Sequence, residues 1–137
     1  MATYNKHNQF VEDLAKKVHN LSSDAITAYL TAAANAPVAG NATLSALTQI
    51  SYTNLSSRVF TVTTCAQASG TLTWLLADLV LTASGAVATF RYAGIYNDTP
   101  TSPADPLIAW YDYGSDVTLA SGETFTYDFT TSTFTLA

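Results

Sequence analysis

The hydrophobic period of this chain changes at Ser22, and that change constrains the fold more than any other feature. Before it, Phe10, Leu14, Val18 and Leu21 recur at helical steps with Val11 at the margin, which places them on one stripe. Glu12 and Asp13 then fall in the first turn and Lys16 and Lys17 near the last, complementing the helix dipole and pairing at i,i+4. An amphipathic helix is predicted from about Asn8 to Asn20, with Asn8 as N-cap and Asn20 as stop. After Ser22 the period is that of a strand: Ile26, Ala28 and Leu30 alternate with Thr27, Tyr29 and Thr31, the pattern of a half-buried strand.

A loop rich in Ala, with Pro37 and Gly40, and an ambiguous segment from Ala42 to Ile50 interrupt the pattern. Strand-like runs resume at Val59 to Cys65, Leu72 to Thr82, Val87 to Tyr96, Leu107 to Tyr111, Val117 to Leu119, Thr124 to Thr130 and Thr133 to Leu136, with turns at Gly70, Ser84-Gly85 and Ser121-Gly122. The last two runs read as a hairpin. In the first of them Phe125, Tyr127 and Phe129 point to one face and Thr124, Thr126 and Asp128 to the other, so a one-residue slip would expose three aromatics. Short strands at such spacing predict a mainly β fold, an antiparallel β-sandwich or jelly-roll-like barrel with one N-terminal amphipathic α-helix. With 137 residues, the chain divides into an N-terminal arm and helix over 1–21 and a single β-sandwich domain over 22–137, built on one core.

Charged residues make up 11% of the chain against about 25% in ordinary soluble domains, and Thr alone supplies 22 residues. A surface of hydroxyls and small apolar groups loses little on burial, because few ions need desolvating, so the composition points to an assembly component. The net charge is -5, with five basic residues that cluster only at Lys16 and Lys17, which argues against nucleic acid as a partner. From Tyr92 to the end there is no Lys or Arg, while Asp98, Asp105, Asp112, Asp116, Glu123 and Asp128 are all acidic. The first ten residues lack the apolar core of a signal peptide, and the longest apolar run, Trp74 to Leu81, is interrupted by Asp78 and too short to span a bilayer. A soluble, non-secreted product without membrane partners is expected.

Reactive constellations are sparse. Cys65, the single cysteine, has no cationic neighbour and reads as an inert, half-buried thiol. His7 and His19 stand twelve residues apart without a matching ligand pair and read as solvated surface imidazoles. The carboxylates at Asp98, Asp105, Asp112 and Asp116 lack the spacing of a calcium loop and suit turns, where they accept hydrogen bonds from nearby backbone amides. No nucleophile elbow, phosphate loop or dinucleotide fingerprint occurs, so no catalytic, cofactor or metal residue is assigned and an enzyme is not expected. Tyr92, Tyr96, Trp110, Tyr111 and Tyr113 suit a core, a protein interface or, as an alternative, the sugar platform of a carbohydrate-binding module. The Asn-x-Ser/Thr matches at Asn41, Asn54 and Asn97 are expected by chance in so Thr-rich a chain.

Residues 90–129 carry Tyr96-Asn97-Asp98, Asp105-Pro106-Leu107-Ile108, Trp110-Tyr111-Asp112-Tyr113-Gly114 and the turn Gly122-Glu123-x-Phe125. With the opening Tyr4-Asn5-Lys6 and Phe10-Val11-Glu12-Asp13-Leu14-Ala15, this pattern resembles a family of small tailed-phage virion proteins over nearly the whole chain. The chain departs from it in the Ala-rich stretch Ala33 to Ala46. The resemblance implies a capsid decoration, or cement, protein on the outer surface of a phage head, made in the host cytoplasm, which bridges copies of the major capsid protein and forms a homotrimer. A tail, neck or fibre-associated protein is the alternative it leaves. Tyr4, Lys6, Phe10, Lys16 and Lys17 of the arm, with Tyr96, Trp110, Tyr111 and Tyr113, are the residues expected to meet those partners.

Overall fold

In the computed structural model, which describes residues 2–137, the chain forms antiparallel sheets with one α-helix near the N-terminus, an arrangement consistent with a β-sandwich. In chain order the elements are β1 (Asn5–Lys6), α1 (Gln9–Ala15), β2 (Ile26–Thr31), β3 (Val62–Ala68), β4 (Thr71–Leu76), β5 (Leu79–Thr82), β6 (Phe90–Asn97), β7 (Leu107–Val117), β8 (Thr124–Tyr127) and β9 (Phe134–Leu136). One layer is the sheet β1-β7-β6-β2; the strands opposite it form β3-β4-β9 and β5-β8. The two smaller sheets are stitched together. Only Ala77 and Asp78 separate β4 from β5, Asp78 Oδ1 accepts the amide of Phe129 at 2.7 Å, and Thr133 Oγ1 accepts that of Leu76 at 3.0 Å. Ile26, Leu30, Ile95 and Ala109 from the first layer bury against Trp74, Leu76, Leu81 and Tyr127 from the second.

The helix is shorter than its hydrophobic stripe. It ends because Lys17 takes a left-handed conformation, φ 65°, and the amides of Lys17 and Val18 turn back to the carbonyls of Leu14 and Asp13 at 3.3 and 2.9 Å. This is a Schellman stop with lysine in the place glycine favours, so Asn20 is not the terminator. Asn8 makes no side-chain cap, and Asp13, expected in the first turn with Glu12, lies beyond it and is buried beside Gln9, whose amide nitrogen reaches Oδ1 at 3.2 Å.

Strand β2 corrects a second expectation: all six of its residues are buried, where alternation implied a solvated face. Its inner face joins the sandwich core. Its outer face carries Tyr29, which packs with Tyr96 and Leu107 beneath Leu44 and Leu47 of the long connection between β2 and β3. That connection holds only two short 3-10 turns, Ala33–Asn35 and Leu44–Ala46, and hangs from the sheet through Leu107 N to Ala42 O at 3.0 Å and Ile50 N to Leu30 O at 3.1 Å. A free edge on β2 is likewise absent, since Val59 bridges Thr27.

The expected C-terminal hairpin does not form. β8 pairs with β5 and β9 with β4, although the facing is as the alternation predicts, with Tyr127 buried, Phe125 and Phe129 packed on the core and Thr124, Thr126 and Asp128 exposed. The run Leu72 to Thr82 divides into β4 and β5, and the gap expected before Val117 is instead a break in register within β7, where Tyr92 faces Asp112 but Phe90 faces Val117. The β3–β4 hairpin turns at Ser69 and Gly70, φ 51° and 85°, the geometry of a tight two-residue connection.

Gly94 lies directly across from Tyr29 in the β2–β6 ladder. A Cβ at residue 94 would lie 1.9 Å from Cζ of Tyr29. Gly94→Ala is therefore expected to cost about 3 kcal/mol or more in a denaturant titration, the upper end of overpacking penalties. Gly40→Ala, where nothing lies within 4 Å, should stay within about 0.5 kcal/mol of wild type.

Candidate functional site

The arm runs along the β7 edge of the first layer, with β1 paired at Trp110 and Ala109, the His7 amide bonded to the Ile108 carbonyl, and Ala2 beside Tyr111 and Tyr113. The alternation of β8 turns Phe125 and Tyr127 inward toward the same edge, and the two layers meet there along a seam of aromatic rings. At one end the seam is closed. Tyr4 of the arm packs edge-on to Tyr111 at 6.0 Å and near Phe134 at 6.3 Å, and Phe10 meets Phe134 at 5.6 Å. At the other end Tyr113 reaches Phe125 at 5.5 Å and Phe125 meets Phe90 at 5.0 Å, leaving a cleft of about 330 Å³. Ala2, Ala93, Tyr111, Tyr113, Phe125, Thr126, Tyr127, Asp128 and Phe129 line it. Burial holds the Tyr111 phenol well above its ordinary range, and burial with the nearby Tyr111 does the same to Tyr4, so both hydroxyls stay neutral. The cleft offers stacking and apolar contact with one carboxylate at its edge.

The arm is fixed by two buried histidines, and both correct the surface reading given to them. His7, fully buried, sits with Nε2 3.0 Å from the Tyr29 hydroxyl and its ring 4.6 Å from that of Trp110, while Nδ1 makes no hydrogen bond. Burial lowers its pKa to about 4, offset in part by the backbone of Val38 and Asn41. His19 packs on Phe10 at 5.2 Å; its Nδ1 faces Asn97 Nδ2 at 3.0 Å, which also donates to Asp24 Oδ2 at 2.7 Å. Burial lowers this pKa too, against the opposing pull of Asp13 and Asp24. Both rings are thus held neutral. Trp74 completes the attachment by donating Nε1 to the Leu21 carbonyl at 2.9 Å.

The expected partner residues divide accordingly. Phe10 and Tyr96 are buried and have no face to offer a partner, which removes them from that set. Tyr4, Trp110 and Tyr111 are half-buried, and Tyr113 is the most open of the group, 56% exposed. Lys6, Lys16 and Lys17 are exposed; Lys16 pairs with Glu12. Asn97, one of the chance glycosylation matches, is buried in the His19 network. Sequence reasoning missed Phe125, Phe129 and Ala93 as parts of a site because their alternation marks them as core, and only the divergence of β7 from β8 opens them. Among the described residues no three His, Cys, Asp or Glu side chains gather where they could hold a metal ion. Asp112 instead accepts two bonds from Arg91, at 2.9 and 3.1 Å, and the Gly114 amide at 2.8 Å, while burial and then neighbouring Asp98 raise the Asp105 carboxyl. No helix among the described residues is long and apolar enough to cross a membrane. Comparisons with protein-family models, with curated proteins and with solved structures return no match.

The histidines make stability pH-dependent with a definite sign. His7 binds fewer protons folded than unfolded between its ordinary 6.5 and about 4, so its contribution is complete above 6.5 and declines as pH falls through that window. Unfolding titrations should show stability falling between about pH 7 and pH 5, where most carboxylates are still ionised. His7→Gln should lower stability at pH 7 and flatten that slope; an unchanged slope would separate the acid sensitivity from His7.

Proposed function

We propose that this chain is a non-enzymatic virion structural protein, a decoration protein that binds the outer surface of a phage head through contacts with the major capsid protein. The observation that carries the reading is the open aromatic cleft at the seam, set in a surface where ionised groups are scarce. A contact made there desolvates few ions and buries rings that carry much of the energy of protein interfaces. The segments that carry the phage-protein resemblance supply these walls: Trp110-Tyr111-Asp112-Tyr113-Gly114 lies on β7, and Gly122 to Phe125 leads into β8. Repetition by symmetry turns modest contacts into firm attachment, which suits a homotrimer on a shell.

Removing residues 2–21 would not test the arm as a capsid contact, because Phe10 and Leu21 would leave the core with it. The clean experiment is cosedimentation of the folded protein with purified empty heads. Saturable binding is expected, weakened about tenfold or more by Tyr113→Ser, a loss of roughly 1.4 kcal/mol per site, with the melting temperature unchanged. Failure to bind heads at micromolar concentration would remove the decoration reading.

A further inference from the structure

A strand at the edge of a sheet presents unpaired N–H and C=O groups, and folded chains blunt such edges by covering, charging or shortening them. This chain does so at every edge but one. Along β2, the Arg58 carbonyl accepts the Ala28 amide at 2.8 Å, the Ile26 carbonyl that of Phe60 at 2.8 Å and the Leu30 carbonyl that of Ile50 at 3.1 Å. Along β5, the Thr82 carbonyl accepts the Ser56 amide at 3.0 Å, and the Thr82 amide goes to Ser56 Oγ at 2.8 Å. β1 and β9 are two and three residues long, and β8 has four residues between Glu123 and Asp128. The stretch of β7 beyond β1 carries Asp112 and Asp116, and Asp112 Oδ1 takes the Gly114 amide.

β3 has none of these devices along its length. It is seven residues long, ends the order β3-β4-β9, and lies in a stretch with no Pro, Asp, Glu, Lys or Arg between Arg58 and Asp78. Its one irregularity, a bulge at Thr63, leaves Thr64 to Ala68 in regular register with β4. The hairpin closes on Ala68 and Thr71 through a two-residue turn, and the alternation of an antiparallel ladder from that pair turns the amides and carbonyls of Cys65 and Gln67 away from β4. None of those four groups meets a backbone partner among the described residues, and Ala66 between them is exposed.

We propose that this edge is a self-association surface: two copies pair their β3 strands antiparallel about a two-fold axis at Ala66, joining two three-stranded sheets into one. That axis is the centre of the regular run from Thr64 to Ala68. It sets Cys65 of each copy against Gln67 of the other, so every outward group finds its complement. A second copy fits because this row is complementary to itself under a two-fold, and because a chain of net charge -5 meets itself here with no carboxylate on either strand. The groove that Cys65 shares with the arm holds Lys17 with Asp24, one of each sign. The facing Ala66 residues approach to about 4.5 Å between Cα atoms, and Thr64 falls opposite Ala68, so only small side chains meet. The contact does not depend on the decoration reading, and its two-fold symmetry distinguishes it from the trimer implied by the resemblance.

Analytical ultracentrifugation of the full chain tests it. Wild type should show a reversible equilibrium of monomer and dimer. Ala66→Lys and Ala66→Glu each set like charges face to face and should weaken the dimer about tenfold or more, with the melting temperature of the monomer kept. An equimolar mixture of the two should dimerise again, because Lys then faces Glu. Ala66→Cys, combined with Cys65→Ala, should cross-link two copies under mild oxidation, since the facing Cα atoms lie within disulfide reach; this small side chain decides the matter should a charged variant fail to fold. A monomer up to about 1 mM, an oligomer indifferent to both charges, charged variants that fail to rescue each other, or no cross-link would overturn the proposal. A monomer whose binding to phage heads is lost in Ala66→Lys would also overturn it, and would assign the edge to a strand of another protein.

Discussion

The ring of Tyr29 lying on Gly94 is the contact on which the rest of this structure depends. Cross-strand neighbours in β2 and β6, they leave no room for a Cβ on residue 94, so the absence of a side chain there is what admits the tyrosine. From that position the Tyr29 hydroxyl reaches His7 and fixes the arm, while the opposite layer is tied to the same spot by Tyr127, whose hydroxyl donates to the Gly94 carbonyl at 3.0 Å with the Tyr29 carbonyl at 3.3 Å. Arm, first layer and second layer thus converge on one pair of residues. A buried polar network of this kind is favourable only when its members keep their partners, which links the placement of the arm to the integrity of the sandwich.

That linkage determines where aromatic surface remains open. Two-layer β folds must bury the rings that alternation directs inward, and the seam between the layers is the weak point of the arrangement. Here the arm seals one end with Tyr4 and Phe10, while the other end stays open around Tyr113 and Phe125, past the register break in β7, with Ala2 on its wall.

The alternations of residues 26–31 and 124–129 were legible in the sequence, and with them the strands, the inward rings and the β-sandwich class. Three things were not, for different physical reasons. The helix stop was hidden because Lys17 occupies a left-handed position without the glycine that would announce it. The burial of β2 on both faces depends on Leu44 and Leu47, which reach it from a connection with no periodicity of its own. The histidines looked solvated because nothing local marks them as buried; their partners, Tyr29 and Trp110 for one ring and Asn97 for the other, come from strands far along the chain. For the site, the aromatic and acidic residues could be read but not their division into core and cleft, which is set by how β7 and β8 diverge.

Native-state hydrogen exchange tests the central claim that the arm and the sandwich form one cooperative unit. The amides of His7 and Asn8, bonded to the carbonyls of Ile108 and Ala39, should exchange with the same opening free energy as the β2–β6 ladder around Tyr29 and Gly94. Arm amides that exchange through a separate low-energy opening, while the ladder stays protected, would contradict the account.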